Sequence, residues 1–94
     1  MESVIEWCGK VMAQKDVRGL VVIDKLGRAI HSTFEEEQTT QYSQLVHKII
    51  DNSLGAAREF DQSDDLKLVR VRTGKYEVYI APENNYIVAT FKNL

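Results

Sequence analysis

Between residues 40 and 60 the sequence carries one unbroken apolar stripe at helical spacing. This stripe limits the possible folds more than any other feature. Its members are Tyr42, Leu45, Val46, Ile49, Ile50, Leu54, Ala56, Ala57 and Phe60. At about 100° per residue, all but Leu54 fall on an arc of roughly 140°, and Leu54 widens it on the Ile50 side. A helix of this length with one apolar face has to lie on another layer. With 94 residues in all, forming one domain over 1–94, that layer must come from the flanking segments. Ser53 falls near the centre of the stripe, which fits either close backbone approach or a serine bonded back to its own helix.

The flanks read as strands. Gly19-Leu20-Val21-Val22-Ile23 is rich in β-branched residues and reads as buried. Asp24-Lys25-Leu26-Gly27 is a turn, with Gly27 able to take positive φ, and Arg28–Thr33 returns as a shorter, more polar strand. Beyond the helix, Asp61–Asp65 is a loop, followed by strands over Leu66–Thr73, Tyr76–Ala81 and Tyr86–Lys92. Gly74-Lys75 is a two-residue hairpin loop, and Pro82-Glu83-Asn84-Asn85 a second turn. In Leu68-Val69-Arg70-Val71-Arg72 the valines face one way and the arginines the other, so one side of the sheet is buried and the other only partly covered. Ahead of everything, Ser3-Val4-Ile5-Glu6 fits a capping box. Val4, Ile5, Trp7, Cys8, Val11 and Met12 then make a stripe roughly 160° wide, so residues 3–15 read as a first helix. The expected class is α+β, in the order α-β-β-α-β-β-β. One five-stranded antiparallel sheet carries the long helix on one face and the first helix on the other.

Chemistry is sparse. Twelve Lys+Arg against fourteen Asp+Glu give a net charge of −2, without the basic excess of a general nucleic-acid or anionic-membrane binder. The single cysteine, Cys8, cannot form an internal disulfide, and one Cys with His31 and His47 is too small a set for zinc. Glu2 and Glu6 stand where a signal peptide would be basic and then apolar, and no apolar run approaches a membrane span. Asp61-x-Ser63-x-Asp65 begins like a calcium loop, but Leu66 and Arg72 occupy the positions that require Gly and Glu. Neither nucleotide-cradling glycine motif occurs. The histidines lack a nucleophile motif, so the expectation is no enzyme, no cofactor and no metal. Lys67, Arg70, Arg72 and Lys75 form a basic strand face that Glu77 can pair with. The remaining signal is uncovered surface: the Arg28–Thr33 edge strand, and apolar or aromatic groups such as Trp7, Val11, Leu54 and Tyr79 beyond what one core needs.

The series of short motifs resembles one family. Gln14-Lys15-x-Val17-x-Gly19 is followed by Gly27-x-x-Ile30-x-Ser32-Thr33, then Thr39-Thr40-Gln41-Tyr42 with Leu45-x-His47. Asp65-Leu66-x-x-Val69-Arg70-Val71-Arg72, Glu77-Val78-x-x-Ala81-Pro82 and Tyr86 complete it. In order and over nearly the whole chain, these look like the roadblock family of dynein light chains. Trp7, Cys8, Gly55 and Ala89-Thr90 depart from its pattern and point to a divergent member.

The resemblance implies a non-catalytic light chain acting as a homodimer, or as a heterodimer with another roadblock chain, in motor assembly and microtubule-based transport or ciliary motility. The second strands, with Ile30 and Ser32, would pair into a continuous ten-stranded sheet. The long helices would pack through Tyr42, Leu45 and Ile49. A helical segment of the dynein intermediate chain would bind on the opposite face, with Trp7, Val11, Tyr79 and Phe91 as anchors. Cytoplasm and cytoskeleton, or an axoneme, would be the location. The other role the resemblance allows is a scaffold or regulator of a small GTPase.

Overall fold

The computed structural model describes residues 4–14 and 16–93, with side chains for all of these except Val4, Ile5, Trp7 and Cys8. Ser3, and with it the expected capping box, lies outside the described residues. The elements are α1 (Val4–Met12), β1 (Val17–Asp24), β2 (Ala29–Ser32), α2 (Glu36–Phe60), β3 (Val69–Arg72), β4 (Tyr76–Glu83) and β5 (Tyr86–Asn93). The five strands form one antiparallel sheet in the order β2-β1-β5-β4-β3, so β2 and β3 are its edges. The expected order and architecture hold.

Alternation along the strands splits the core in two. Val21, Ile23, Val78, Ile80, Ile87 and Ala89 point to the α2 side and pack with Val46 and Ile50. Leu20, Val22 and Val88 point the other way, against Val11 of α1. Leu20, Val21, Val22, Ile23 and Ile80 are fully buried, which is why β1 reads as a continuous apolar run.

Several boundaries differ from the sequence expectation, and one residue of the expected core stripe is exposed. Strand β3 spans only Val69–Arg72, shorter than the expected Leu66–Thr73. Helix α2 begins at Glu36 rather than near Thr39-Thr40, and its N-cap, Glu35, makes no side-chain cap bond. Glu36 and Glu37 instead place negative charge in the first turn, where the helix dipole favours it. The Thr39 hydroxyl is engaged elsewhere, 2.6 Å from Ser32 Oγ. At the far end, Phe60 is 94% exposed and leaves the core stripe. A helix of 25 residues runs about 37 Å. An eight-residue strand covers only about 26 Å, so the helix is longer than the strands beneath it. Pro82 and Glu83 lie in β4, paired with Ile87 and Tyr86, rather than in a turn. Because β3 pairs with β4 no further than Ile80, that end of β4 is locally an edge, where a missing N–H costs no ladder bond.

Candidate functional site

Edge strand β3 is regular: Val69, Arg70, Val71 and Arg72 pair with Ile80, Tyr79, Val78 and Glu77 without a break. Between it and α2 lies an apolar groove of about 110 Å³, lined by Tyr42, Leu45, Val46, Ile49, Val71, Thr73, Tyr76, Val78 and Phe91. Val46 and Val78 are its buried floor. Leu45, 49% exposed, stands on its helix wall, and Ile49 and Val71 are half-buried. Tyr42 spends much of its ring within the chain: its centroid lies 5.0 Å from that of Phe34 and 4.9 Å from that of Phe91. An open strand edge and an apolar groove therefore sit side by side.

Edge strand β2 is different. Its pairing with β1 slips between Val22 and Ile23, so Ile30 has no direct opposite. Ile30 is 49% exposed. Ser32 Oγ accepts the Phe34 N–H at 3.0 Å and shares a hydrogen bond with Thr39 of α2. Thr33 Oγ1 accepts the Leu20 N–H at 2.9 Å. The expected interface set is thus divided. Tyr42, Leu45 and Ile49 face β3, whereas Ile30 and Ser32 lie on the opposite edge, four strand spacings or about 19 Å away. Both groups cannot meet a mate across one two-fold axis that continues the sheet through a single edge. The sequence reading marked the Arg28–Thr33 strand as an edge, but not that Val69–Arg72 is the other one and flanks the Leu45 side of the helix.

The four expected anchors are divided as well. The Trp7 side chain lies outside the described residues. Val11 is buried against Leu20, Val22 and Val88, so it belongs to the second core rather than to a docking surface. Phe91 pairs with Val78 and packs beside Tyr42 on the α2 face, while Tyr79, one residue out of phase, pairs with Thr90 on the other face. Tyr79 and Phe91 therefore cannot both anchor a segment on one face of the sheet. Tyr79 remains, inside a polar network. Its hydroxyl donates to Glu77 Oε1 at 3.0 Å, and Arg70 Nε donates to Glu77 Oε2 at 2.8 Å. The Arg70 guanidinium and Lys92 Nζ lie 5.5 and 5.6 Å from the Tyr79 ring centre. The bonded Arg70 guanidinium, opposed by burial and aided by the Tyr79 hydroxyl, holds the Glu77 carboxyl below the usual glutamate range. The same carboxylate pushes the Tyr79 hydroxyl up.

A second cleft, about 390 Å³, opens beside the other flank of α2. Ile50, Leu54, Leu66, Pro82 and Ile87 contribute apolar lining, and Lys25, Asp51, Arg58, Asp65 and Lys67 are among its charged residues. His47 faces it, half-buried, with Nε2 3.3 Å from the Lys25 carbonyl oxygen. The ring fixes the β1–β2 turn to α2, since a Cβ on Gly27, whose φ is +89°, would stand 2.9 Å from His47 Cγ. Asp24 closes that turn, accepting the Arg28 and Leu26 N–H groups, each at 2.9 Å. The Arg28 N–H bond is the main reason its carboxyl lies below the usual range.

Two features were invisible in the sequence. Gly19 looks like an ordinary strand-edge glycine, yet a Cβ there would come within 2.5 Å of Phe34 Cζ. Ser43 is buried, and its hydroxyl lacks a hydrogen-bond partner. Among the described residues no three His, Cys, Asp or Glu groups stand close enough to hold a metal, and no helix is long and apolar enough to cross a membrane.

Comparison with known proteins places these features in context. A family model described as the Roadblock/LC7 domain matches residues 6–93. Among solved structures, a Roadblock/LC7 domain from Streptomyces avermitilis superposes with a TM-score of 0.86 at 14% identity, covering 97% of this chain and 79% of that one. MglB from Myxococcus xanthus gives 0.76 at 13% identity, covering 92% and 72%. The gliding protein MglB from Thermus thermophilus gives 0.77 at 9% identity, covering 99% and 76%. At these identities the likeness is one of fold.

Proposed function

The chain belongs to the Roadblock/LC7 domain family, and from that premise we propose that it works as a two-fold dimer whose task is to hold partners rather than to catalyse. The observation that carries this reading is the open β3 edge beside the Leu45–Ile49 groove. Pairing β3 with its counterpart satisfies the outward N–H and C=O groups. The same rotation brings two α2 helices together, so Leu45 and Ile49 of each copy fill the groove of the other. The product is a ten-stranded sheet, with β3 rather than β2 at its centre. The β2 edge, with Ile30 and Ser32, then stays at the two outer margins.

In the specific reading we favour, the dimer is a dynein light chain. It clamps a segment of the dynein intermediate chain on the face opposite α2, and acts in the cytoplasm on the cytoskeleton or in an axoneme. The run of motifs from Thr39-Thr40-Gln41-Tyr42 to Ala81-Pro82 supports it. A second reading, a scaffold or regulator of a small GTPase, is favoured by the presence of gliding proteins among the matching folds. Mass spectrometry of the native complex recovered on a tagged chain separates the two. Dynein heavy and intermediate chains are the expected result. A small GTPase without dynein subunits, with its nucleotide turnover altered by the chain, would overturn the first reading in favour of the second.

A further inference from the structure

We propose that the cleft between the second half of α2 and the adjoining turns binds a small amphipathic anion, with a short aliphatic body on its apolar base and a carboxylate head among its cations. The inference goes beyond the dimer reading and does not rest on it, because the cleft shares no lining residue with the Leu45–Ile49 groove. Along one face of α2, His47, Asp51, Leu54 and Arg58 recur at helical spacing and line the cleft. Opposite them stand Lys25 of the β1–β2 turn and Asn84 of the β4–β5 turn, at the end of the sheet where Asp24 pairs with Tyr86. Leu66 and Lys67, ahead of β3, complete the wall. Ile50 and Ile87 are buried at the base, and Leu54, Leu66 and Pro82 are half-buried around it. The cleft volume of about 390 Å³ lies within the ~300–1,000 Å³ of small-molecule sites.

The walls are held in place by the chain itself. Asp24 and His47 fix the β1–β2 turn. Asp61 pins the start of the α2–β3 loop, accepting the Ser63 N–H at 2.9 Å and the Ser63 hydroxyl at 2.7 Å. A preformed site loses little affinity to ordering. The charges then select the head. Lys25, Arg58 and Lys67 line the cleft against Asp51 and Asp65. Among the described residues none of these three cations has a carboxylate within 4 Å, so a ligand engages them without breaking an ion pair. Their long stems can lie along the apolar wall and bring the charged ends together, which the short aspartate side chains cannot do. An anion thus meets converging donors, one of them a forked guanidinium suited to a carboxylate. A cation meets two carboxylates on short stems, fixed to different elements. A metal ion fits less well still: His47, Asp51 and Asp65 share the cleft, but among the described residues no such group stands close enough to hold one.

The test titrates the full chain with octanoate, octanol and octylammonium and follows the backbone amides by NMR. Octanoate is expected to move the amides of Ile50, Leu54, Leu66 and Ile87 and to saturate with a Kd below about 1 mM. It should bind at least ~5-fold tighter than octanol, with octylammonium weakest. Hexanoate, with a shorter aliphatic body, should bind about tenfold more weakly than octanoate, because the base of the cleft is apolar. Arg58→Gln with Lys67→Gln should bring octanoate to within ~2-fold of octanol. Both side chains are exposed, so this variant keeps its fold, which its amide spectrum checks in the same titration. Lys48→Gln with Lys75→Gln removes the same charge from outside the cleft and should leave the preference intact. No saturation by about 10 mM octanoate, equal binding of octanoate and octanol, or shifts centred on Leu45, Ile49 and Val71 would overturn the proposal. So would an equal loss of preference in the Lys48/Lys75 variant.

Discussion

The two edges of the sheet have the same length, four residues each, and opposite fates. The β2 edge is finished by its own chain. A bulge breaks its register, Ser32 and Thr33 return hydrogen bonds to the backbone, and Thr39 ties it to α2. The β3 edge has an unbroken ladder on one side and nothing described on the other. An edge strand's polarity thus says little about whether it will pair. By composition β3, with two arginines in four residues, looks the better protected. Those arginines point out of the face rather than along the edge, so they leave the backbone groups open, whereas the bulge in β2 interrupts the ladder itself.

Changes at each edge should therefore differ in kind. The largest effect is expected for Ile49→Asp, which puts a charge into the groove beside β3. It should weaken self-association by a hundredfold or more, about 3 kcal/mol, measured by dilution in size-exclusion chromatography. On the β2 side, Gly19→Ala should act on folding alone. The new Cβ would meet the Phe34 ring and force the aromatic cluster apart, at about 1–3 kcal/mol by urea denaturation extrapolated for the dimer at fixed concentration. Thr39→Val removes the hydroxyl that ties β2 to α2, leaves Ser32 Oγ short of a partner, and should cost about 1 kcal/mol in the same measurement. Equal effects of these three on association would erase the distinction between the edges.

Smaller still is the pH response of the polar face. Glu77 and Asp24 titrate lower in the folded chain than in the unfolded one, because each accepts hydrogen bonds as a carboxylate. The unfolded chain therefore binds protons first as pH falls. The stability these groups add is in place above the ordinary glutamate value of 4.5 and fades as pH drops through the lowered folded values. Glu77→Gln should flatten part of that acid-side decline in melting temperature. An unchanged slope would mean the Arg70–Glu77–Tyr79 network adds nothing.

Element order and most of the core were legible because periodicity reports burial directly. Val21, Ile23, Ile80 and Ile87 stand where alternation places them, and Val46 and Ile50 lie in the helical stripe. The boundaries that moved did so for tertiary reasons. Phe60 satisfies the helical period but is exposed, and Thr39 looks like a cap yet bonds across to β2. The site was legible in part. The residues alone singled out Leu54 as surplus, whereas Leu45 and Ile49 entered only through the family resemblance. Their place beside β3 depends on which way α2 crosses the sheet, and no local pattern encodes that. Val11 and Phe91 were misplaced for a similar reason: whether an apolar residue is surplus depends on the neighbours that the fold supplies. Gly19 matters through a close approach to Phe34, a residue far from it in sequence.

Sedimentation equilibrium of three chains at micromolar concentration tests the central claim most directly: the wild type, Leu45→Asp and Ile30→Asp. About twice 10.8 kDa is expected for the wild type and for Ile30→Asp, and a folded species near 10.8 kDa for Leu45→Asp. A wild-type monomer, or an Ile30→Asp monomer beside a Leu45→Asp dimer, would contradict it.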